Sequence, residues 1–167
     1  MVSTSKDVEK KLDCISHSEA QTQRLGLRLG TLVEPGSVVL LEGTMGSGKT
    51  VFAQGVALGL EIREQVTSPS YTLIKEYQSG RLPFFHIDLY RIDSSDSLWG
   101  LGLEEYLEGD GVCVIEWARK VRDFLPETWL YINIEIMTDT KRTLHFASEG
   151  DRFQKILHEY RRLAFGF

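Results

Sequence analysis

The hydrophobic positions of this 167-residue chain repeat with two different periods. Short unbroken apolar runs, Val38-Val39-Leu40-Leu41 and Val112-Cys113-Val114-Ile115, have strand length and no polar face. That is the pattern of strands covered on both sides in a parallel sheet. Residues 130–136 read differently: Leu130, Ile132, Ile134 and Ile136 alternate with Tyr131, Asn133 and Glu135, which predicts a strand with one wet face. Residues 142–147 follow closely enough to pair with it as a hairpin. Two more strands are expected at 71–77 and 82–90, joined by Gln78-Ser79-Gly80-Arg81. Helical spacing occurs in four places. Ser18-Glu19-Ala20-Gln21 has the form of a capping box, and Leu25, Leu29, Leu32 and Val33 follow, so a helix is expected to run to residue 34, where Pro35-Gly36 ends it. Residues 49–60 carry Phe52, Val56 and Gly59 along one side. Residues 94–108 offer Leu98, Leu101 and Tyr106 to a core, with Gly100 and Gly102 as interruptions. Residues 151–163 place Phe153, Ile156, Leu157 and Tyr160 on one face. Residues 1–15 are expected to be frayed, and no internal repeat stands out. The sum is one α/β domain over the whole chain, with a mixed, mainly parallel sheet flanked by helices and a C-terminal antiparallel hairpin.

Composition narrows the setting. At 42% hydrophobic and 26% charged residues, the chain resembles a soluble globular protein long enough for one good core. No apolar run approaches the roughly 20 residues of a membrane span, and the first residues lack the apolar centre of a signal peptide. Cys14 and Cys113 lie far apart and suggest neither a disulfide framework nor a metal cluster, so the cytoplasm is the expected compartment. Cys113 reads as a small buried apolar residue. A net charge of −5 argues against unaided binding to a nucleic-acid backbone, which needs a basic field. Any link to nucleic acid therefore has to run through a partner. Arg152, Lys155, His158, Arg161 and Arg162 make the last helix locally basic, either as a solvated face or as a docking surface.

Residues 43–50 change the picture most. They read Gly-Thr-Met-Gly-Ser-Gly-Lys-Thr, between the apolar run ending at Glu42 and a helical stretch. Strand, then G-x-x-x-x-G-K-[ST], then helix is the phosphate-binding P-loop. Gly43, Gly46 and Gly48 allow a tight turn whose N–H groups, with those of Met45, Ser47 and Val51, can point at phosphate oxygens. Lys49 is expected to reach the β- and γ-phosphates, Thr50 to coordinate Mg²⁺, and the helix to present its positive end to the anion.

Phosphoryl chemistry needs a second carboxylate near the metal, commonly at the end of an apolar strand. Glu116 occupies that position after Val112–Ile115, although aspartate is more usual there. Trp117 either caps the site or packs. In Phe84-Phe85-His86-Ile87-Asp88-Leu89-Tyr90-Arg91, strand alternation sets His86, Asp88 and Tyr90 on one face. A solvated face, a zinc site shared with Glu116, and a segment sensing the γ-phosphate are the readings open for it. Thr67-Ser68-Pro69-Ser70 is either an ordinary loop or a switch touching phosphate or Mg²⁺.

The P-loop leaves the reaction open. No N-K-x-D guanine motif and no L-S-G-G-Q transporter signature is present. A small-molecule kinase remains an alternative, with Arg119, Lys120 and Arg122 as the hint of a lid. L-E-G-T-M-G-S-G-K-T, V-T-S-P-S-Y-T-L-I-K-E-Y, F-H-I-D-L-Y-R-I and V-C-V-I-E-W occur in this order. Over residues 18–147 the chain thereby resembles the bacterial TsaE (YjeE) family. The family usually has Gly-Asp-Leu-Gly-Ala-Gly-Lys-Thr at the loop and Thr-Phe or Thr-Tyr where Ser70-Tyr71 stands here. Neither change removes a ligating group.

The resemblance implies an ATPase that uses ATP and Mg²⁺ and works with the TsaB–TsaD complex, which makes threonylcarbamoyladenosine in tRNA. Contact with tRNA would then be indirect, and no membrane is involved. On this resemblance Thr50 and Glu116 match metal ligands, and Lys49, Asp88 and Glu116 carry the catalytic roles. Thr67, Ser68, His86, Tyr90, Arg91 and Trp117 are the switch residues. Glu19 and Arg142 fall in regions that contact the nucleotide base.

Overall fold

The computed structural model describes residues 10–94 and 96–166, together with the backbone but not the side chain of Val121. The central strands are β2 (Val38–Glu42) and β5 (Val112–Glu116), every residue of which is buried. Their apolar runs are explained by a core on each side. Val39, Leu41, Val112 and Val114 face one cluster, while Val38, Leu40, Cys113 and Ile115 face the other. Burial pushes the Cys113 thiol up to about 12, in keeping with a packing role.

Around this centre the sheet has seven strands among the described residues. β1 (Lys11–Ser16), β7 (Arg142–Glu149) and β6 (Trp129–Ile136) lie on one side of β2, and β4 (Phe84–Asp88) and β3 (Ile74–Tyr77) lie beyond β5. Ladders β2–β5, β2–β6 and β4–β5 are parallel, and β1–β7, β3–β4 and β6–β7 are antiparallel. The sheet is therefore mixed, with the parallel part that was expected to dominate confined to the centre. Helices α1 (Glu19–Leu32), α2 (Lys49–Gly59) and α5 (Asp151–Phe165) cover one face. The other face is covered by α3 (Asp96–Trp99), α4 (Leu103–Glu108) and a 3₁₀ segment, Ala118–Phe124.

Several expected boundaries shift for local reasons. Residues 11–15 are not frayed but belong to β1, an edge strand that buries Leu12 and Ser16. Residues 1–9, also expected to be frayed, lie outside the described residues. The helix expected at 94–108 is split into α3 and α4, because Gly102 takes a left-handed φ of 66°. Ser18 caps α1 by accepting from the Gln21 amide at 3.1 Å. The reciprocal reach of Gln21 lands on the His17 amide rather than on that of Ser18. The basic residues of α5 are largely taken up by the chain itself. Arg152 donates to Ser37 Oγ and pairs with Glu34, Arg161 donates to the Lys11 carbonyl, and Arg162 pairs with Glu159.

The position of α1 depends on glycines that meet α2 backbone to backbone. A Cβ on Gly26 would lie 2.2 Å from the Phe52 carbonyl oxygen, and one on Gly30 would lie 2.2 Å from that of Val56. From the other side, a Cβ on Gly55 or Gly59 would lie 2.1 or 2.2 Å from the carbonyl oxygens of Gln23 and Leu27. Gly30→Ala tests which effect wins. Alanine favours a helix by ~1 kcal/mol, whereas forcing a methyl into a closed contact costs ~1–3 kcal/mol or more. The expected net result is a destabilisation on the order of 2 kcal/mol, read as a lower denaturant midpoint at unchanged slope.

The edge strand carries a pH-dependent tie. His145 on β7 bonds through Nδ1 to Asp13 on β1 at 2.8 Å and faces Glu135 on β6 at 3.5 Å. The hydrogen bond to Asp13 is the main cause that raises its pKa above the ordinary 6.5. A raised pKa means that the folded state holds the proton more tightly, so this stabilisation is complete below pH 6.5 and is lost as pH rises through the folded value. Solvent and salt screen so exposed a triad. Protection factors of the β1 amides, corrected for the intrinsic rise of exchange with pH, should fall between pH 6.5 and the raised value, and His145→Asn should remove that fall. A pH-independent wild type would count against the tie.

Candidate functional site

One cleft of about 750 Å³ opens where β2, β4 and β5 end and α2 begins. Its floor is the Gly43–Thr50 loop. Gly43, Gly46 and Gly48 all take positive φ, at 148°, 80° and 110°. The strictest requirement is at Gly43, where a Cβ would meet the Ile134 carbonyl at 2.4 Å and Ser47 Oγ at 2.5 Å. The loop folds back through a bond from the Ser47 amide to the Thr44 carbonyl at 3.1 Å. At the start of α2, the first-turn amides have no helical carbonyl ahead of them and carry the positive end of the helix. Backbone donors and dipole thus converge on an anion-sized space.

Charge is concentrated here. Lys49 donates to the carbonyls of Gly43 at 2.6 Å and Thr44 at 3.0 Å, and its ammonium lies 4.2 Å from the centroid of the Trp117 ring. Burial lowers its pKa, while Glu116, Glu42 and Asp88 oppose the shift. Those three carboxylates are all nearly inaccessible. Glu42 accepts from the Arg119 amide at 2.5 Å. Asp88 accepts from Ser70 Oγ at 3.1 Å and from the Tyr90 amide at 2.9 Å. Glu116 accepts from Thr50 Oγ1 at 3.0 Å on Oε1 and at 3.3 Å on Oε2. Asp88 and Glu116 are direct register partners on neighbouring parallel strands, which sets two carboxylates side by side at the strand ends.

A divalent cation fits this donor set. Neighbouring ligands of an octahedral Mg²⁺ at 2.0–2.1 Å lie about 3 Å apart, the spacing found between Thr50 Oγ1 and Glu116 Oε1. Among the described residues no three His, Cys, Asp or Glu side chains group to hold a metal unaided. The zinc reading of His86, Asp88 and Glu116 thus finds no support. Oxygen ligands from a nucleotide and from water are what the pair Thr50–Glu116 lacks.

Of the residues singled out from sequence, Glu19, Met45, Gly46, Ser47, Gly48, Lys49, Thr50, Val51, Ser68, Asp88, Tyr90, Glu116, Trp117 and Arg142 line the cleft. Gly43, the first residue of the loop, does not itself line the cleft. Thr67 accepts from Lys75 instead, and Arg91 stacks over Tyr71 at 4.4 Å. His86 is fully buried behind Glu116, which rules out the solvated face. Trp117 both packs and caps: it stacks on Tyr90 at 5.0 Å and covers Lys49. The lid expected of a kinase is not formed by Lys120, whose ammonium ties down the carbonyls of Tyr90 and Ile92 at 2.6 and 2.7 Å. His17, Thr22, Asp139 and Thr140 also line the cleft and were missed. Asp139 and Thr140 sit in the β6–β7 turn, which alternation alone marks only as a hairpin connection.

The architecture and motifs match known proteins. A model of the family described as threonylcarbamoyl adenosine biosynthesis protein TsaE matches residues 16–144. The chain belongs to the TsaE family. It is 43% identical over 134 residues to the tRNA threonylcarbamoyladenosine biosynthesis protein TsaE of Treponema pallidum, covering 80% of this chain and 98% of that one. The Bacillus subtilis protein of the same name is 39% identical over 153 residues, covering 92% and 96%. The crystal structure of YdiB from Bacillus subtilis superposes with a TM-score of 0.82 at 36% identity, covering 92% and 96% of the two chains.

Within this TsaE chain, Arg142 does more than line the cleft. Its Nε donates to the Ser47 carbonyl at 2.9 Å and Nη2 to that of Gly46 at 3.2 Å, while Nη1 holds the hairpin carbonyl of Thr138 at 2.8 Å. A lysine cannot reproduce that fork. Arg142→Lys should weaken nucleotide binding about tenfold, the equivalent of one lost hydrogen bond to a charged group. Calorimetric titration with nucleotide checks it, and unchanged affinity would show that the loop holds its shape without the clamp.

Proposed function

We propose that this chain is a Mg²⁺-dependent ATPase that works with the TsaB–TsaD complex in forming N6-threonylcarbamoyladenosine in tRNA. The observation that carries the reading is the buried pairing of Asp88 with Glu116 beside Lys49 and Thr50, at the mouth of a glycine-built loop. The acidic balance of the chain suits a protein that meets tRNA through partners rather than directly. Among the described residues no helix is long and apolar enough to cross a membrane.

The chain's own residues divide the work. The loop amides and the start of α2 bind the phosphates, and Lys49 exchanges the carbonyls of Gly43 and Thr44 for β- and γ-phosphate oxygens. Thr50 and Glu116 would hold Mg²⁺, which supplies neutralisation of charge on the phosphate oxygens. Asp88 keeps free lone pairs after accepting from Ser70 and Tyr90, and these can orient a water molecule for attack. Tyr90 and Trp117, in contact with each other, form one side of the cleft. The products are ADP and phosphate.

Turnover of the isolated chain should be slow, below the ordinary enzyme median of about 10 s⁻¹, and should rise when the TsaB–TsaD complex is added. Transfer of the γ-phosphate to a metabolite in place of water would replace this reading with a kinase. Asp88→Asn separates binding from chemistry, because it keeps shape and removes charge. Nucleotide affinity should stay within a few-fold, whereas turnover with the partner complex should fall ~10²-fold or more. Lys49→Ala should lose nucleotide binding itself. Normal hydrolysis by Asp88→Asn would make the H-x-D-x-Y-R segment structural.

A further inference from the structure

His86 has no accessible surface and stands outside the cleft lining. Its ring contacts Glu116, with Nε2 lying 2.8 Å from Oε2. Register accounts for the contact. β4 and β5 run parallel with His86 opposite Val114 and Asp88 opposite Glu116, so His86 and Glu116 project from the same face of the sheet. Thr50 donates to Oε1 of the same carboxylate, which is therefore held from two directions.

An ionised carboxylate only accepts hydrogen bonds, so the shared proton belongs to Nε2. Nδ1 has no partner among the described residues. In the Nε2–H tautomer this leaves a bare lone pair. The other tautomer would bury an unpaired N–H and turn the Nε2 lone pair toward a carboxylate. Filling the space beside Phe84, whose ring lies 6.0 Å away, needs no imidazole. A nonpolar side chain would do that without stranding a nitrogen.

We propose that His86 is a positioning residue for Glu116: its Nε2–H fixes the carboxylate toward Thr50 and thereby sets the affinity for the divalent cation that accompanies the nucleotide. The inference rests on the reading of Glu116 as a metal ligand. A glutamate side chain has three rotatable bonds, and holding it in place before the cation arrives removes an ordering cost from binding. Partners of this kind behind a metal ligand are worth 10–100-fold in affinity by the usual scale.

The test is calorimetric titration of Mg²⁺ into protein holding a non-hydrolysable ATP analogue. The amide nitrogen of Gln reaches as far as Nε2, whereas that of Asn reaches only as far as Nδ1. His86→Gln should keep Mg²⁺ affinity within a few-fold. His86→Asn should lower it ~10–100-fold while metal-free nucleotide affinity stays unchanged. Wild-type Mg²⁺ affinity in His86→Asn, or an equal loss in both variants, overturns the proposal. Glu116→Gln separates the two levels: if it leaves Mg²⁺ affinity intact, the ligand reading itself fails. If it weakens binding while His86→Asn does not, only the positioning role fails. Native protein supplies a measurement that no folding defect can blur. Nitrogen-15 NMR of the His86 ring should find the proton on Nε2, and a proton on Nδ1 overturns the inference.

Discussion

The site depends on how closely α1 approaches α2. Four glycines bring the two backbones into contact, and no other residue type leaves room for the facing carbonyls. That approach sets Thr22 of α1 against Gly48, whose φ of 110° turns the chain into α2. At the head of α1, Ser16 Oγ bonds to the Ser18 carbonyl at 2.8 Å and shares a hydrogen bond with Thr22 at 2.7 Å. Strand β1, the cap of α1 and the start of α2 are thus one connected assembly. His17 and Glu19 reach the cleft only because of it. A spacing a methyl group wider would move that wall away from the loop while leaving the P-loop sequence intact.

The electrostatics of the cleft suit an anion accompanied by a divalent cation better than a bare anion. Glu42, Asp88 and Glu116 surround Lys49 with little access to water. Desolvation works against the ammonium, and the carboxylates restore only part of what burial takes away. An incoming phosphate would meet three negative groups, each held by N–H or O–H donors that keep it in place. A divalent ion held by Glu116 and Thr50, whose oxygens lie 3.0 Å apart, would relieve that conflict. Lys49 meanwhile is satisfied by two carbonyls and an indole face, so phosphate binding exchanges contacts at the ammonium and does not add to an empty charge.

Much of this was legible in the sequence because the signals are local. The runs at 38–41 and 112–115 announced strands covered on both faces, and the G-x-x-x-x-G-K-[ST] spacing fixed where strand becomes loop and loop becomes helix. The alternation that set His86 and Asp88 on one face of β4 also held. What stayed hidden depends on distant pairing. β1 shows only Leu12 and Cys14 as apolar residues in phase, with Ile15 out of phase, and it is a strand because β7 offers an edge. The glycines of α1 and α2, four residues apart on each helix, look like propensity defects until the facing carbonyls are seen. His86 was read as a switch residue on an exposed or sensing face. Register with β5, which no local pattern encodes, buries it against Glu116.

The segments that leave β4 and β5 beyond Asp88 and Glu116 are joined to each other by side-chain contacts. Trp117 follows Glu116 directly in a left-handed conformation, with φ of 61°, an uncommon state for a bulky residue. Tyr90 follows Asp88 by two residues and stacks on that indole. Lys120 then fastens the Tyr90 and Ile92 carbonyls to the 3₁₀ segment. Ring contact and ammonium thus join the two strand ends to each other outside the sheet. Asp88 and Glu116 are therefore coupled twice, by register inside the sheet and by these contacts outside it. Tyr90 is half-exposed, so the outer of these two links faces solvent while the inner one lies buried within the sheet.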